Sequence, residues 1–171
     1  AVDERHFGSI WFIRGPNKGR YPNCHSIYIE GPGILIDPSA DRNRLEELKG
    51  YPGVKVVLLS HVHEDHLMHL DLFHDVPLWV PASDAPQITD IELLLNTYSA
   101  CGEMRDYYRK ILEEQFHSHP RKPDRLLKDG DIVDAGGLTI QIIHTPGHTP
   151  GHLCFLFSEP RILFLGDYDL T

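Results

Sequence analysis

The 171-residue sequence has no apolar run near the ~18–20 residues that a membrane-spanning helix needs, and no basic-then-apolar segment opens it. Neither a membrane partner nor a secreted product is expected. Positive charge is scarce: 16 Lys and Arg stand against 25 Asp and Glu, for a net charge of −9. That balance counts against a nucleic-acid partner, because non-specific affinity for phosphate backbones rests on basic residues. Cysteine is scarce too. Cys24, Cys101 and Cys154 are far apart and odd in number, which excludes a disulfide scaffold and points to a reducing, cytoplasmic setting. There is no internal repeat, low-complexity tract or linker, so the length reads as one domain. With 41% hydrophobic residues the chain can bury a core. Histidine, by contrast, is plentiful, at 12 residues.

The pattern predicts short strands at 9–13, 26–29 and 34–36, separated by turn formers at 15–22 and 31–33. A short amphipathic helix is expected from Arg42 to Lys49, stopped by Gly50. The nearly continuous apolar run Val54 to Leu59 fits a buried strand. A helix and then a strand at 77–80 should follow. In 89–117, apolar residues at helical spacing predict two helices broken near Gly102, the first capped by Thr89 with Glu92. From Leu126 onward strands return, at 138–142, 153–157 and 161–165. Hairpins mixed with strand–helix units point to an α/β or α+β layered fold.

Three motifs carry chemistry, and each directly follows a predicted strand. The first is His61-Val62-His63-Glu64-Asp65-His66. Residues i and i+2 of an extended chain point the same way, so His61 and His63 can grip one ion, and Asp65 and His66 can face a second. Imidazole and carboxylate suit Zn²⁺, and Fe or Mn are also accommodated. The second is His144-Thr145-Pro146-Gly147-His148-Thr149-Pro150-Gly151-His152, where two Pro-Gly pairs stiffen the loop holding His148. The third, Gly166-Asp167, is weak alone. Strand ends on one sheet edge gather in one place, so the three together make one site.

These motifs resemble the metallo-β-lactamase superfamily of metal-dependent hydrolases, through His61-x-His63-x-Asp65-His66, Thr145 to His152, Gly166-Asp167 and the strand ending at Asp37. The resemblance covers almost the whole chain except 85–125, a helical insertion between the metal motifs. It implies an αββα sandwich with one or two zinc ions at the edge of the two sheets. His61, His63 and His148 would bind metal 1, Asp65 and His66 would bind metal 2, and Asp167 would bridge them. Asp37 and His152 would orient the ligands from behind. The family has a further metal-2 histidine on a later strand. After Asp167 only Tyr168 to Thr171 remain, so most of the second half of the domain is expected to be absent from this chain.

In the activity this resemblance implies, a metal-bound water with its pKa lowered to ~7 provides a hydroxide that attacks a small-molecule ester, thioester or lactone. Asp65 would orient that nucleophile and move its proton. Asp167 stands where one class of true β-lactamases has Cys, which favours a glyoxalase II-like thioesterase or lactonase over antibiotic hydrolysis. The alternative is a persulfide-oxidising enzyme with one iron held by the same residues; a nuclease or an inactive binding homologue ranks lower. The insertion's Leu93, Leu94, Tyr98, Tyr107, Tyr108 and Phe116 are candidates to cover the site or to form a homo-oligomer contact. His69, His74, His117 and His119 are expected on the surface or in packing.

Overall fold

Short apolar runs cut by Gly and Pro turns bury little alone and gain by stacking into layers. The computed structural model describes residues 3–168, and in it those runs form two sheets. The first contains β1 (Glu4–Phe7), β2 (Ile10–Ile13), β3 (Ser26–Ile29), β4 (Ile34–Ile36), β5 (Val56–Leu58), β6 (Leu78–Pro81) and β7 (Arg125–Leu127), side by side in sequence order. Pairing is antiparallel through β4 and parallel from β4 to β7. The second contains β8 (Ile132–Asp134), β9 (Thr139–His144), β10 (Leu153–Phe157) and β11 (Ile162–Phe164), all antiparallel.

Parallel neighbours require crossovers, and helices supply two of them. α1 (Arg42–Gly50) joins β4 to β5; α2 (Ala85–Thr89), α3 (Ile91–Thr97) and α4 (Gly102–Glu114) lie between β6 and β7. They pack on one face of the first sheet, where Leu45, Leu48, Leu94, Leu95 and Leu112 meet Tyr28, Leu35, Val57 and Val80. The other face, with Ile27, Ile36 and Leu58, packs on Ile140, Ile142, Phe155 and Phe157 of the second sheet. These are three layers of an αββα sandwich. On the outer face of the second sheet, Ile132 and Leu163 are exposed.

The core between the sheets bears most on stability. Phe155 is fully buried there. Replacing it with Ala leaves a hole that rigid strands cannot close, so Phe155→Ala should lower unfolding free energy by about 3–5 kcal/mol, measurable by urea denaturation.

One strand carries no sequence signal, and three local expectations need correction. β1 has a charged, mostly exposed sequence with no apolar alternation, because it is an edge strand. No helix forms directly after the first metal motif. The His69 N–H bonds the Pro38 carbonyl, away from any helical ladder, and only a 3₁₀ turn, Leu70–Phe73, results. Thr89 does not cap a helix; it closes α2 by donating to the Pro86 carbonyl, while Asp90 caps α3 by accepting from the Glu92 N–H. Within 85–125, Leu94 and Phe116 are core residues, not a cover for the site, whereas Leu93 and Tyr107 face solvent.

Candidate metal centre

The C-terminal ends of the parallel strands open at one edge of the first sheet. Asp37 comes directly after β4, Ser60-His61 come just beyond β5, and β6 runs on toward Asp84. The second sheet brings the end of β9, the start of β10 and the turn after β11 to the same edge. A Leu153 N–H to Ser60 carbonyl bond of 2.8 Å stitches the sheets there. All three motifs thus meet, although Asp167 lies 106 positions beyond His61 in the chain.

His61 lies three positions beyond the end of β5 and is fully buried. Its Nδ1 lies 2.9 Å from Ser60 Oγ, while its Nε2 is buried with no hydrogen-bond partner. An orphaned ring nitrogen is a cost unless something occupies its lone pair. Facing it are His63 and His148, with His63 Nδ1 and His148 Nε2 3.0 Å apart; one nitrogen from each ring of this trio lies within 4.8 Å of the others. Burial, reinforced by the neighbouring imidazoles, holds the pKa of His61 well below the usual histidine range and lowers that of His63. Neutral rings keep their lone pairs free for a cation.

His61, His66 and Asp167 form a second such trio. The Asp167 carboxylate divides between the two groups. Its Oδ2 is 3.2 Å from His148 Nε2 and 3.7 Å from His61 Nε2, and its Oδ1 is 3.1 Å from His66 Nε2. The pKa of Asp167 is lowered: burial opposes its charge, but the His66 hydrogen bond and the surrounding histidines outweigh burial. Asp65 stands further off, with Oδ2 3.9 Å from His66 Nε2. Burial pushes its carboxyl up to about 6.

The outer groups fix these rings. Asp37 is buried in a left-handed conformation (φ 52°), secured by Ser26, whose hydroxyl donates to the Asp37 carbonyl and accepts from the Ser39 and Ala40 N–H groups. Its Oδ2 is 2.8 Å from His66 Nδ1 and 2.6 Å from Ser60 Oγ. Burial works against a charged His66, yet Asp37 and Asp167 raise its pKa well above the ordinary value. His152 Nε2 accepts the Asp167 N–H at 3.1 Å, and its Nδ1 lies 2.8 Å from Thr145 Oγ1.

Gly166 makes room for the His152 Nε2 contact. Its φ is +55°, and a Cβ there would lie 2.8 Å from His152 Nε2 and 3.2 Å from Ser60 Oγ. Gly166→Ala should therefore cost about 1–2 kcal/mol in backbone strain and displace His152. Metal affinity should fall about tenfold or more, read by competition with a chelating dye.

A third trio, His69, Asp71 and His117, is as compact, with one ligand atom from each within 4.8 Å of the others. Arg42 already holds it, with two bonds to Asp71 (3.0 and 2.8 Å) and an Nη1–His69 Nδ1 contact of 3.3 Å. A guanidinium fills the place of a cation, and burial together with Arg42 pulls His69 down to about 4.

Sequence reasoning missed two supports of the site. Asp84 is buried, and its carboxylate accepts from the Val62 N–H (3.0 Å), Thr149 Oγ1 (2.6 Å) and the Gly151 N–H (2.7 Å). It thereby ties the first metal loop to the second. Its position at a strand end was the one available signal. Glu64, beside His63, is clamped by the Tyr21 hydroxyl (3.0 Å) and the Tyr98 hydroxyl. With Tyr108, Ile111 and Leu112 these residues line a cavity of about 350 Å³.

Comparison with known proteins agrees with this geometry. The model of the metallo-beta-lactamase superfamily matches residues 17–171. A hydroxyacylglutathione hydrolase of Haemophilus influenzae is 30% identical, over 85% of this chain and 65% of its own. An acyl-coenzyme A thioesterase of Gallus gallus is 26% identical, over 97% of this chain and 61% of its own. Among solved structures, a beta-lactamase from Chitinophaga pinensis gives a TM-score of 0.63 at 25% identity, over 90% of this chain and 55% of that one. A metallo-beta-lactamase from Elizabethkingia meningoseptica gives 0.64 at 23%, over 95% and 60%, a likeness of fold alone. The chain spans less than two thirds of the length of each of these relatives. Among the described residues no helix is long and apolar enough to cross a membrane, and Cys24, Cys101 and Cys154 are free thiols.

Proposed function

Because this chain belongs to the metallo-beta-lactamase superfamily, we propose that it carries most of the metal-binding side of a hydrolase that cleaves a thioester or related ester of a small molecule. The observation that carries this reading is the buried, unpartnered Nε2 of His61, with the His63 and His148 rings beside it. An all-nitrogen trio with a carboxylate beside it suits zinc, with iron and manganese as substitutes. His61, His63 and His148 would hold one ion. His66 and Asp65 would contribute to a second, and Asp167 would offer one oxygen to each. A metal held there supplies Lewis acidity and a water made acidic enough to ionise near neutral pH.

The chain's own residues would do the rest. Asp65, with its carboxyl raised by burial, would take the proton from the attacking water at its carboxylate oxygen. Asp37 and His152 hold His66 and Asp167 from behind, so that little reorganisation is needed when charge develops. The cavity of Tyr21, Tyr98, Tyr108, Ile111 and Leu112 would take the acyl portion, with aromatic and aliphatic walls that exclude water. Cys24 Sγ lies 3.5 Å from both ring nitrogens of His66, but burial raises its pKa and keeps the thiol a poor nucleophile, which favours direct attack by water. The relatives named for hydroxyacylglutathione and acyl-coenzyme A hydrolysis favour the thioester class.

The test uses the intact protein, purified with its metal. Expected are one to two zinc equivalents and turnover of a hydroxyacylglutathione or an acyl-coenzyme A, abolished by chelation and restored by zinc. One iron per chain with oxygen uptake on a persulfide, and no thioester turnover, would overturn the proposal.

A further inference from the structure

We propose a second binding site, independent of the metal, on the helical layer. It would take an amphiphilic carboxylate: an apolar tail, an anionic end, and an amide or hydroxyl between them. A cavity of about 470 Å³ lies between α2, α3, the 67–74 segment and residues 117–121, within the size range of small-molecule sites. None of the proposed metal ligands lines it. Its floor is aliphatic, with Leu67, Leu70, Ile88 and Leu94 all buried.

Three polar features specify the ligand. Gln87 Oε1 and Ser118 Oγ, on two of the lining residues, are buried and have no hydrogen-bond partner. Such groups are rarely left unpaired in a mostly apolar setting. Rotation about one terminal torsion swaps the ends of the Gln87 amide or turns the Ser118 hydroxyl toward the cavity. An amide between tail and head would answer both, with its N–H to Gln87 and its carbonyl to Ser118. Arg121, also on the wall, donates to the Phe73 and Val76 carbonyls, and no carboxylate lies within ion-pair distance of it among the described residues. A half-buried guanidinium bonded only to neutral carbonyls favours an anion. The acidic residue on the same wall, Asp71, is already neutralised by Arg42.

The probe is N-octanoylglycine, titrated calorimetrically into the intact protein. One equivalent should bind, in metal-loaded and chelated protein alike. N-octanoylglycinamide, which lacks the charge, should bind at least tenfold more weakly, and N-acetylglycine, which lacks the tail, not measurably. Ser118→Ala should weaken binding several-fold. Ile91→Trp, at a half-buried lining position, should fill the cavity and abolish binding, with the melting temperature of both variants close to that of the parent. No binding to the intact protein, equal binding of the glycinamide, a requirement for metal, or binding unchanged in both variants would each overturn the proposal. These outcomes are separate from thioester turnover, so either proposal can fail alone.

Discussion

The His61→Ala variant of the intact protein is expected to purify without metal and to lose thioester hydrolysis. Removing an outer group behind a metal ligand typically costs about 10–100-fold in affinity or activity. His61 belongs to both trios at the centre, so its loss should cost well over 100-fold in each. The His61 ring also sits among four others, with centroids of His63, His66, His148 and His152 between 4.2 and 5.1 Å away. Without metal, removing it relieves crowding while leaving a hole, so the chelated variant should melt close to the chelated parent. The difference should emerge with metal. At free zinc a thousandfold above Kd, the parent gains about 4 kcal/mol by mass action, or roughly 8–16 °C in a domain of this size. The variant should gain almost nothing. Undiminished hydrolysis in metal-free His61→Ala would refute the assignment of the site.

How far the site is legible in sequence depends on how local each contact is. His61 and His63 can be read because alternation along an extended segment after a buried strand places both rings on one side. His148 can be read because Pro-Gly pairs announce a stiff loop. The layered class follows from apolar runs and turns, and α1 from the spacing of Leu45 and Leu48. Glu64 offers no such signal. Its partners Tyr21 and Tyr98 lie 43 and 34 residues away, and nothing near it in the chain announces them. The segment after His66 looks helical by composition, yet the Pro38 carbonyl takes the His69 N–H from the other side of the fold. Such features are tertiary, and the partner that decides them is invisible in a local window.

Asp84 is the strongest case of this kind, and its replacement is expected to have the second large effect. Its place just past a strand is the only signal the sequence carries for it, and its carboxylate caps no helix N–H. It receives three hydrogen bonds from two loops that are 87 residues apart at Val62 and Thr149. The fit is close, since a Cβ on Gly151 would lie 2.7 Å from the Asp84 carboxyl carbon. Asp84→Ala strands the Val62 and Gly151 N–H groups in a buried setting. Bonds to a charged acceptor contribute about 1.5–3 kcal/mol each and are not additive, so a loss of roughly 3–5 kcal/mol is expected. That corresponds to a fall of roughly 6–20 °C in melting temperature. Asp84→Asn separates positioning from folding. Its carbonyl oxygen can still accept from Val62 and Thr149, but its NH₂ then faces the Gly151 N–H, donor against donor. The Asn variant should fold and melt between the parent and the Ala variant. It should also bind zinc about 10–100-fold more weakly, because the loop carrying His148 is no longer held against the loop carrying His61 and His63. An Asn variant that melts lower yet binds zinc as the parent does would show that Asp84 supports only the fold, and the positioning role would have to be abandoned.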